Sequence, residues 1–135
     1  MIQRIEIHTC DKWYAHTEDK VELKIEDSKG ECKTSQLTNG INFNRGSIDV
    51  FEDEDFLYDC FEWQMDGNII VTVSKWGTDD WAFCWAKFFL SMDVHYSCEN
   101  PHNDKWIGDG NPSTIKMECY GKSLYYLNPN MFGSK

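Results

Sequence analysis

From its first residues the chain alternates apolar and polar side chains. Ile5 and Ile7 stand against Arg4, Glu6 and His8, and Val21, Leu23 and Ile25 stand against Glu22, Lys24 and Glu26. Successive side chains of a strand point to opposite faces, so this alternation predicts half-buried β-strands rather than helices. Ser28-Lys29-Gly30 predicts a turn into a shorter segment ending near Leu37, and Asn39-Gly40 and Arg45-Gly46 punctuate a loop before a strand at Ser47–Phe51. Phe61, Trp63 and Met65 alternate with Glu62 and Gln64, Asp66-Gly67 has the form of a tight hairpin turn, and Ile69, Val71 and Val73 read as the return strand. The near-continuous apolar segment from Trp81 to Met92 fits a strand covered on both faces or a short buried helix, and its aromatics and length favour the strand. Residues 97–113 have a loop composition, and residues 114–120 with 123–127 form a last strand region. About eight short strands separated by turns predict an all-β, antiparallel eight-stranded β-sandwich. Its expected core is Ile5, Ile7, Val21, Leu23, Ile25, Phe61, Trp63, Val71, Val73 and Trp81, with Trp85 also inside.

Composition narrows the picture. The 135 residues amount to one domain, expected over 1–135, and 23 acidic against 13 basic residues leave a formal charge of −10. That charge opposes a nucleic-acid partner, because such affinity comes mainly from Lys and Arg neutralising phosphates. No apolar run approaches the roughly 18 residues of a membrane-spanning helix. Met1-Ile2-Gln3-Arg4 enters the first strand directly, without the charged and apolar stretches of a signal peptide. Six cysteines without a C-x-x-C pair read as up to three disulfides, and hence as a secreted, extracellular protein in mature form. Their connectivity stays open among the 15 pairings that six cysteines allow.

Several segments resemble one family. Thr9, Asp11, Ala15, Thr17 and Val21 match the T-G-D and A-G-T-D-x-x-V positions that open PLAT (lipoxygenase-homology) domains. Phe43-Asn44-Arg45-Gly46-Ser47-Ile48-Asp49-Val50-Phe51 is similar to the family's F-x-R-G-x-x-D-x-F segment, and Trp81 stands where the strand after the hairpin begins. The chain departs from the pattern at both glycines of the first loop, replaced by Cys10 and His16, and at Glu18, where the family has Asp. The resemblance implies a stand-alone PLAT-like β-sandwich that engages a membrane or lipid surface, or a protein partner, through loops at one end. It also implies that Cys60 and Cys84 pair, since similar positions flanking the hairpin carry cysteines in stand-alone members.

Asp11, Glu18 and Asp19 lie in the first loop, and Asp79 with Asp80 lies in the loop before Trp81, which the resembled fold places at the same end. Ca²⁺ takes six to eight oxygens from such flexible loops, so these five carboxylates are the candidate metal ligands. Trp13 and Tyr14 sit where the alternation has stopped, and an indole at a loop tip can enter a bilayer interface or a partner's apolar groove. Glu52 to Asp55 reads as a solvated charge run. No nucleophile elbow, H-E-x-x-H or phosphate-binding loop occurs, so the expectation is a non-catalytic module. The alternative from another class is a small hydrolase acting on carbohydrate through paired carboxylates.

Overall fold

Alternation becomes strand where it is clearest. β1 (Arg4–Thr9), β2 (Lys20–Asp27), β3 (Gly30–Lys33) and β4 (Ile48–Phe51) are followed by a single-turn helix α1 (Glu54–Leu57) and a 3₁₀ turn (Tyr58–Cys60). Then come β5 (Ile69–Gly77), β6 (Trp81–Ser91), β7 (Val94–Glu99), the two-residue β8 (Trp106–Ile107) and β9 (Gly110–Ser123). The computed structural model describes residues 2–38, 43–61, 67–91 and 94–123.

All strand pairs are antiparallel, in the order β3-β2-β5-β9-β7-β6-β1-β4, with β8 beside β6. β9 serves both layers of an all-β sandwich. Up to Cys119 it pairs with β5, and from Tyr120 it pairs with β7. The Cys98–Cys119 disulfide ties β7 to β9 at that changeover. Between the layers the inward phases of the strands meet: Ile5 and Ile7, then Val21, Leu23 and Ile25, then Ile69, Val71 and Val73, all buried. Burial of each such side chain contributes roughly 1.5–3 kcal/mol. Trp81 lies in an aromatic cluster, its ring 4.8 Å from Phe43 and 5.1 Å from Phe83. Its indole N–H donates to Thr9 Oγ1 at 3.0 Å, so the one polar atom of the ring is satisfied inside.

Four expectations are corrected. β5 is not the return strand of the expected hairpin, because β2 and β9 occupy both of its edges; most of the hairpin's first strand, residues 62–66, lies outside the described residues. Phe61 instead follows the 3₁₀ turn in a helical conformation and is partly buried, while Trp63, Met65 and Asp66 lie outside the described residues. Trp85 is not core. It would share the inner face with Trp81 and Phe83 under strict alternation, but the register slips by one residue between His8 and Thr9, leaving Cys84 unmatched. An extra residue in one strand flips every side chain beyond it, so Ala86 and Phe88 turn inward and Trp85 outward, under Lys87 Nζ at 4.7 Å.

The third correction is the disulfide expected between Cys60 and Cys84. Cys84 pairs with Cys10, because β1 and β6 are neighbours, and Cys60 pairs with Cys32, because the 3₁₀ turn lies against β3; the Cα separations are 5.1 and 5.2 Å. The family-based pairing assumed the hairpin that β5 has no edge for. Fourth, the loop expected at residues 97–113 is shorter, since β7 continues to Glu99 and β9 begins at Gly110. The acidic run is solvated as expected, and it also has local work: Asp53 caps α1 by accepting from the Asp55 N–H at 2.9 Å.

Edge strand β4 turns Asp49 toward the inner side, opposite Ile7, with Ser47 Oγ donating to it at 3.0 Å. Burial pushes this carboxyl above the ordinary Asp range, and the Ser47 hydrogen bond only partly opposes that. An inward charge on an edge strand discourages pairing with another chain.

Two measurements check these readings. Replacing both Cys10 and Cys84 by Ala should lower unfolding stability in denaturant titrations by about 2–5 kcal/mol, since a long chain segment loses its cross-link. For Asp49, a raised folded pKa means that ionisation opposes folding: the penalty is full above the folded pKa and disappears as pH falls below the unfolded value. Asp49→Asn should therefore raise Tm at neutral pH and leave it unchanged in acid, where the native carboxyl is already protonated.

Candidate functional site

The loop after β1 is anchored at both ends on one residue of β6. Cys10 N–H donates to Ala82 O at 2.8 Å, and Ala82 N–H donates to Ala15 O at 3.1 Å. Cys10, Ala15 and Ala82 are buried together, with Cys84 and Trp106 packed against them. Between the anchors the chain turns tightly, with Ala15 N–H donating to Lys12 O and Tyr14 in the left-handed region at φ 61°. For a non-glycine residue that conformation persists only where the surroundings impose it. The result is a tip on which Trp13 is 76% and Tyr14 82% exposed. Neither ring belongs to the core.

Trp13 is nevertheless held. The Arg45 guanidinium lies 4.3 Å from the centre of its ring while Arg45 Nε pairs with Asp11 Oδ1 at 2.6 Å. Gly46, at φ 74°, keeps this turn close to Asp11: a Cβ there would lie 3.8 Å from Asp11 Oδ1. Lys12 Nζ donates to Asp104 O at 2.8 Å, tying the tip to the loop before β8. Lys12 and Arg45 thus flank the rings with two cations, one of them paired with Asp11, while acidic side chains stand beside Tyr14. Beside it, Tyr14, Thr78, Asp79, Asp80 and Trp106 line an open hollow of about 370 Å³.

The second half of the end is organised by Lys75. Its position in the inward phase of β5, after Ile69, Val71 and Val73, leaves it fully buried, and its ammonium donates to Asp19 Oδ2 at 2.9 Å and to Gly77 O at 3.3 Å. Asp19 Oδ2 also accepts the Asp79 N–H at 2.8 Å. Thr17 Oγ1 accepts from Asp19 N–H and donates to Asp79 O, and Glu18 N–H donates to Asp79 Oδ2 at 3.2 Å. Gly77 is required: at φ 135°, any Cβ would stand only 2.4 Å from the Asp19 carboxylate.

The two loops thus do share one end, and Glu18, Asp19 and Asp79 come together there, but the five candidate carboxylates form no oxygen cage. Asp11 is held apart by Arg45, Asp19 is neutralised by Lys75, Asp79 is engaged by backbone N–H, Glu18 is exposed, and Asp80 points beside Gly108. Among the described residues no group of three or more His, Cys, Asp or Glu side chains is placed to hold a metal ion. The calcium that the resemblance brings into view does not fit this arrangement: Asp11 and Asp19 are each paired with a cation of the protein's own, and the other three carboxylates do not converge with them on one point. Sequence reasoning singled out neither Arg45 nor Lys75 as a site residue. Lys75 had a readable signal, since a lysine in the apolar phase of a buried strand demands a carboxylate partner.

Neither a family model nor a curated protein matches the sequence. Among solved structures, the chain is similar to a LOX (lipoxygenase) crystal structure with TM-score 0.66 at 19% identity, over 87% of this chain and 16% of that one. It is similar to a LOX crystallised in complex with arachidonate, TM-score 0.64 at 20% identity over 87% and 16%. Alpha toxin from Clostridium absonum follows at TM-score 0.55 and 19% identity, over 83% and 30%. The chain therefore spans a minor part of each of these proteins, and at such identity the likeness is one of fold.

Removing the Lys75 ammonium leaves the Asp19 carboxylate without its cation in a poorly solvated setting. Lys75→Met should destabilise by about 2–3 kcal/mol in chemical denaturation. Millimolar Ca²⁺ should leave the Tm of the native protein where EDTA leaves it; a calcium-dependent rise would show that the loop carboxylates take a metal after all.

Proposed function

We propose that the chain is a non-catalytic binding module of the PLAT type that docks on a lipid surface through the loop end tipped by Trp13 and Tyr14, without calcium. The observation that carries this reading is the exposure of two adjacent aromatic rings at 76% and 82% on a loop whose base is fixed by a disulfide and two backbone hydrogen bonds. Rings that serve only stability are buried; a ring held in water by a cation and a strained turn is preorganised to bury itself elsewhere. Indole and phenol suit the interface, where one end is apolar and the other wet.

Charge selects the surface. The net −10 disfavours anionic bilayers, whereas a zwitterionic one presents no net charge to oppose it, and Lys12 and Arg45 beside the rings can meet its phosphates. The similarity of fold to a LOX that was crystallised with arachidonate adds weight to a lipid setting, and the three disulfides point to an oxidising, extracellular one. Among the described residues no helix is long and apolar enough to cross a membrane, so contact in this reading is peripheral.

Flotation with phosphatidylcholine vesicles in EDTA tests it. The native protein should float, and Trp13→Ala should weaken vesicle binding about tenfold or more, the equivalent of losing one buried aromatic, with Tm within the range of ordinary surface substitutions. No flotation under any calcium concentration would remove the lipid surface and leave a protein partner as the occupant of the tip.

A further inference from the structure

Away from the loop end, the outer face of the β3-β2-β5-β9 layer carries a row of residues that the strand registers place side by side. Lys33 stands opposite Lys24, Lys24 opposite Thr72, and Thr72 opposite Lys116. Like charges directly opposed across strands repel, so this row is a local cost that the fold retains. Its centre is unusual. Thr72 is only 6% exposed, and its hydroxyl is buried with no hydrogen-bond partner among the described residues. A buried hydroxyl without a partner is a rare and unfavourable state.

Thr72 also lines a hollow of about 360 Å³, together with Lys24, Lys33, Lys116, Ser74, Thr114 and one carboxylate-bearing residue, Glu22. Small hydroxyl side chains occupy the middle of this face and lysines flank them. The carboxylates nearby are engaged: Glu22 pairs with Lys20 at 2.9 Å and Glu26 with Lys24 at 3.3 Å. Lys33 and Lys116 have no carboxylate within 4.0 Å among the described residues. Cations, hydroxyl donors and an unpaired buried O–H around one small hollow are the donor set of a tetrahedral oxyanion, which accepts several hydrogen bonds at once and cancels the repulsion between the lysines.

We infer that this hollow is a binding site for a single phosphate- or sulfate-type oxyanion, held by Lys33 and Lys116 with the Thr72 hydroxyl donating to it, while Lys24 between them stays paired with Glu26. It stands apart from the aromatic tip and does not depend on the lipid reading. The same group could arrive free in solution or as the phosphate-monoester headgroup of a lipid, and experiment separates the two.

The test is titration of ¹⁵N-labelled protein with sodium phosphate, and separately sodium sulfate, at ionic strength held constant with chloride. The expected result is saturable shifts of the Lys24, Thr72 and Lys116 amides that chloride does not produce. Thr72→Val, which replaces the unpaired hydroxyl by a methyl group without loss of Tm, should weaken the affinity about tenfold. Lys116→Gln, at an exposed position, should weaken it in the same direction. Vesicles of phosphatidylcholine containing phosphatidic acid that compete with free phosphate, where pure phosphatidylcholine vesicles do not, identify the lipid headgroup as a source; absence of competition identifies free phosphate. Shifts that chloride reproduces, or an affinity untouched by Thr72→Val, would overturn the site.

Discussion

A fully buried ammonium has to find its counter-charge, and much of the loop end follows from that constraint. Lys75 lies in the inward phase of β5, where water cannot solvate it. Asp19 must therefore come to it, which sets where the first loop ends and where β2 begins. Gly77 must lack a side chain, because the Asp19 carboxylate occupies the place of its Cβ. Asp79 is then drawn in through its backbone N–H, and Thr17 stitches the two loops together. One ion pair thus organises the half of this end that lies beside the aromatic tip.

The same pair changes how the acidic loops should be understood. Carboxylates gathered from two loops at one end of a sandwich look like the makings of a calcium site, since a hard divalent cation is what usually reconciles so many negative oxygens. Here the reconciliation is internal. Lys75 takes Asp19 from within, and Arg45 takes Asp11 from the neighbouring turn. Arg45 also stacks on Trp13, so the cation that neutralises a loop carboxylate also orients the exposed ring. The Phe43-to-Phe51 segment accordingly divides its labour: Phe43 and Phe51 fill the core, Arg45 and Gly46 shape the tip, and Asp49 guards the sheet edge.

The two faces of the molecule express different physics. The inner face is largely apolar, interrupted by Lys75 and at the edge by Asp49, and most of its members follow from alternation. The outer face of the β3-β2-β5-β9 layer sorts charge into rows, because cross-strand neighbours are decided by register and not by sequence distance. Lys24 and Lys33 are neighbours through the β2-β3 hairpin, but Thr72 and Lys116, distant in the chain, join the same row only through the sheet register.

What the amino-acid order determined by itself is local. Alternation at Ile5 and Ile7, and at Val21, Leu23 and Ile25, decided strand, face and core membership, because side-chain direction in a strand depends only on position along it. The end of alternation at Asp11 to Tyr14 marked an exposed loop for the same reason. What only the tertiary structure decided is partnership. Period two says which face a residue takes, not which strand lies beside it, so the hairpin before Ile69 and the Cys60–Cys84 pairing were readable and wrong: β5 closes with β2 and β9, and Cys84 meets Cys10 across β1 and β6. A one-residue bulge at Cys84, invisible in composition, turned Trp85 outward. The fate of the loop carboxylates depended on residues far away in the chain, Asp11 on Arg45 and Asp19 on Lys75, because charge neutralisation is settled by whichever cation the closed fold brings within reach.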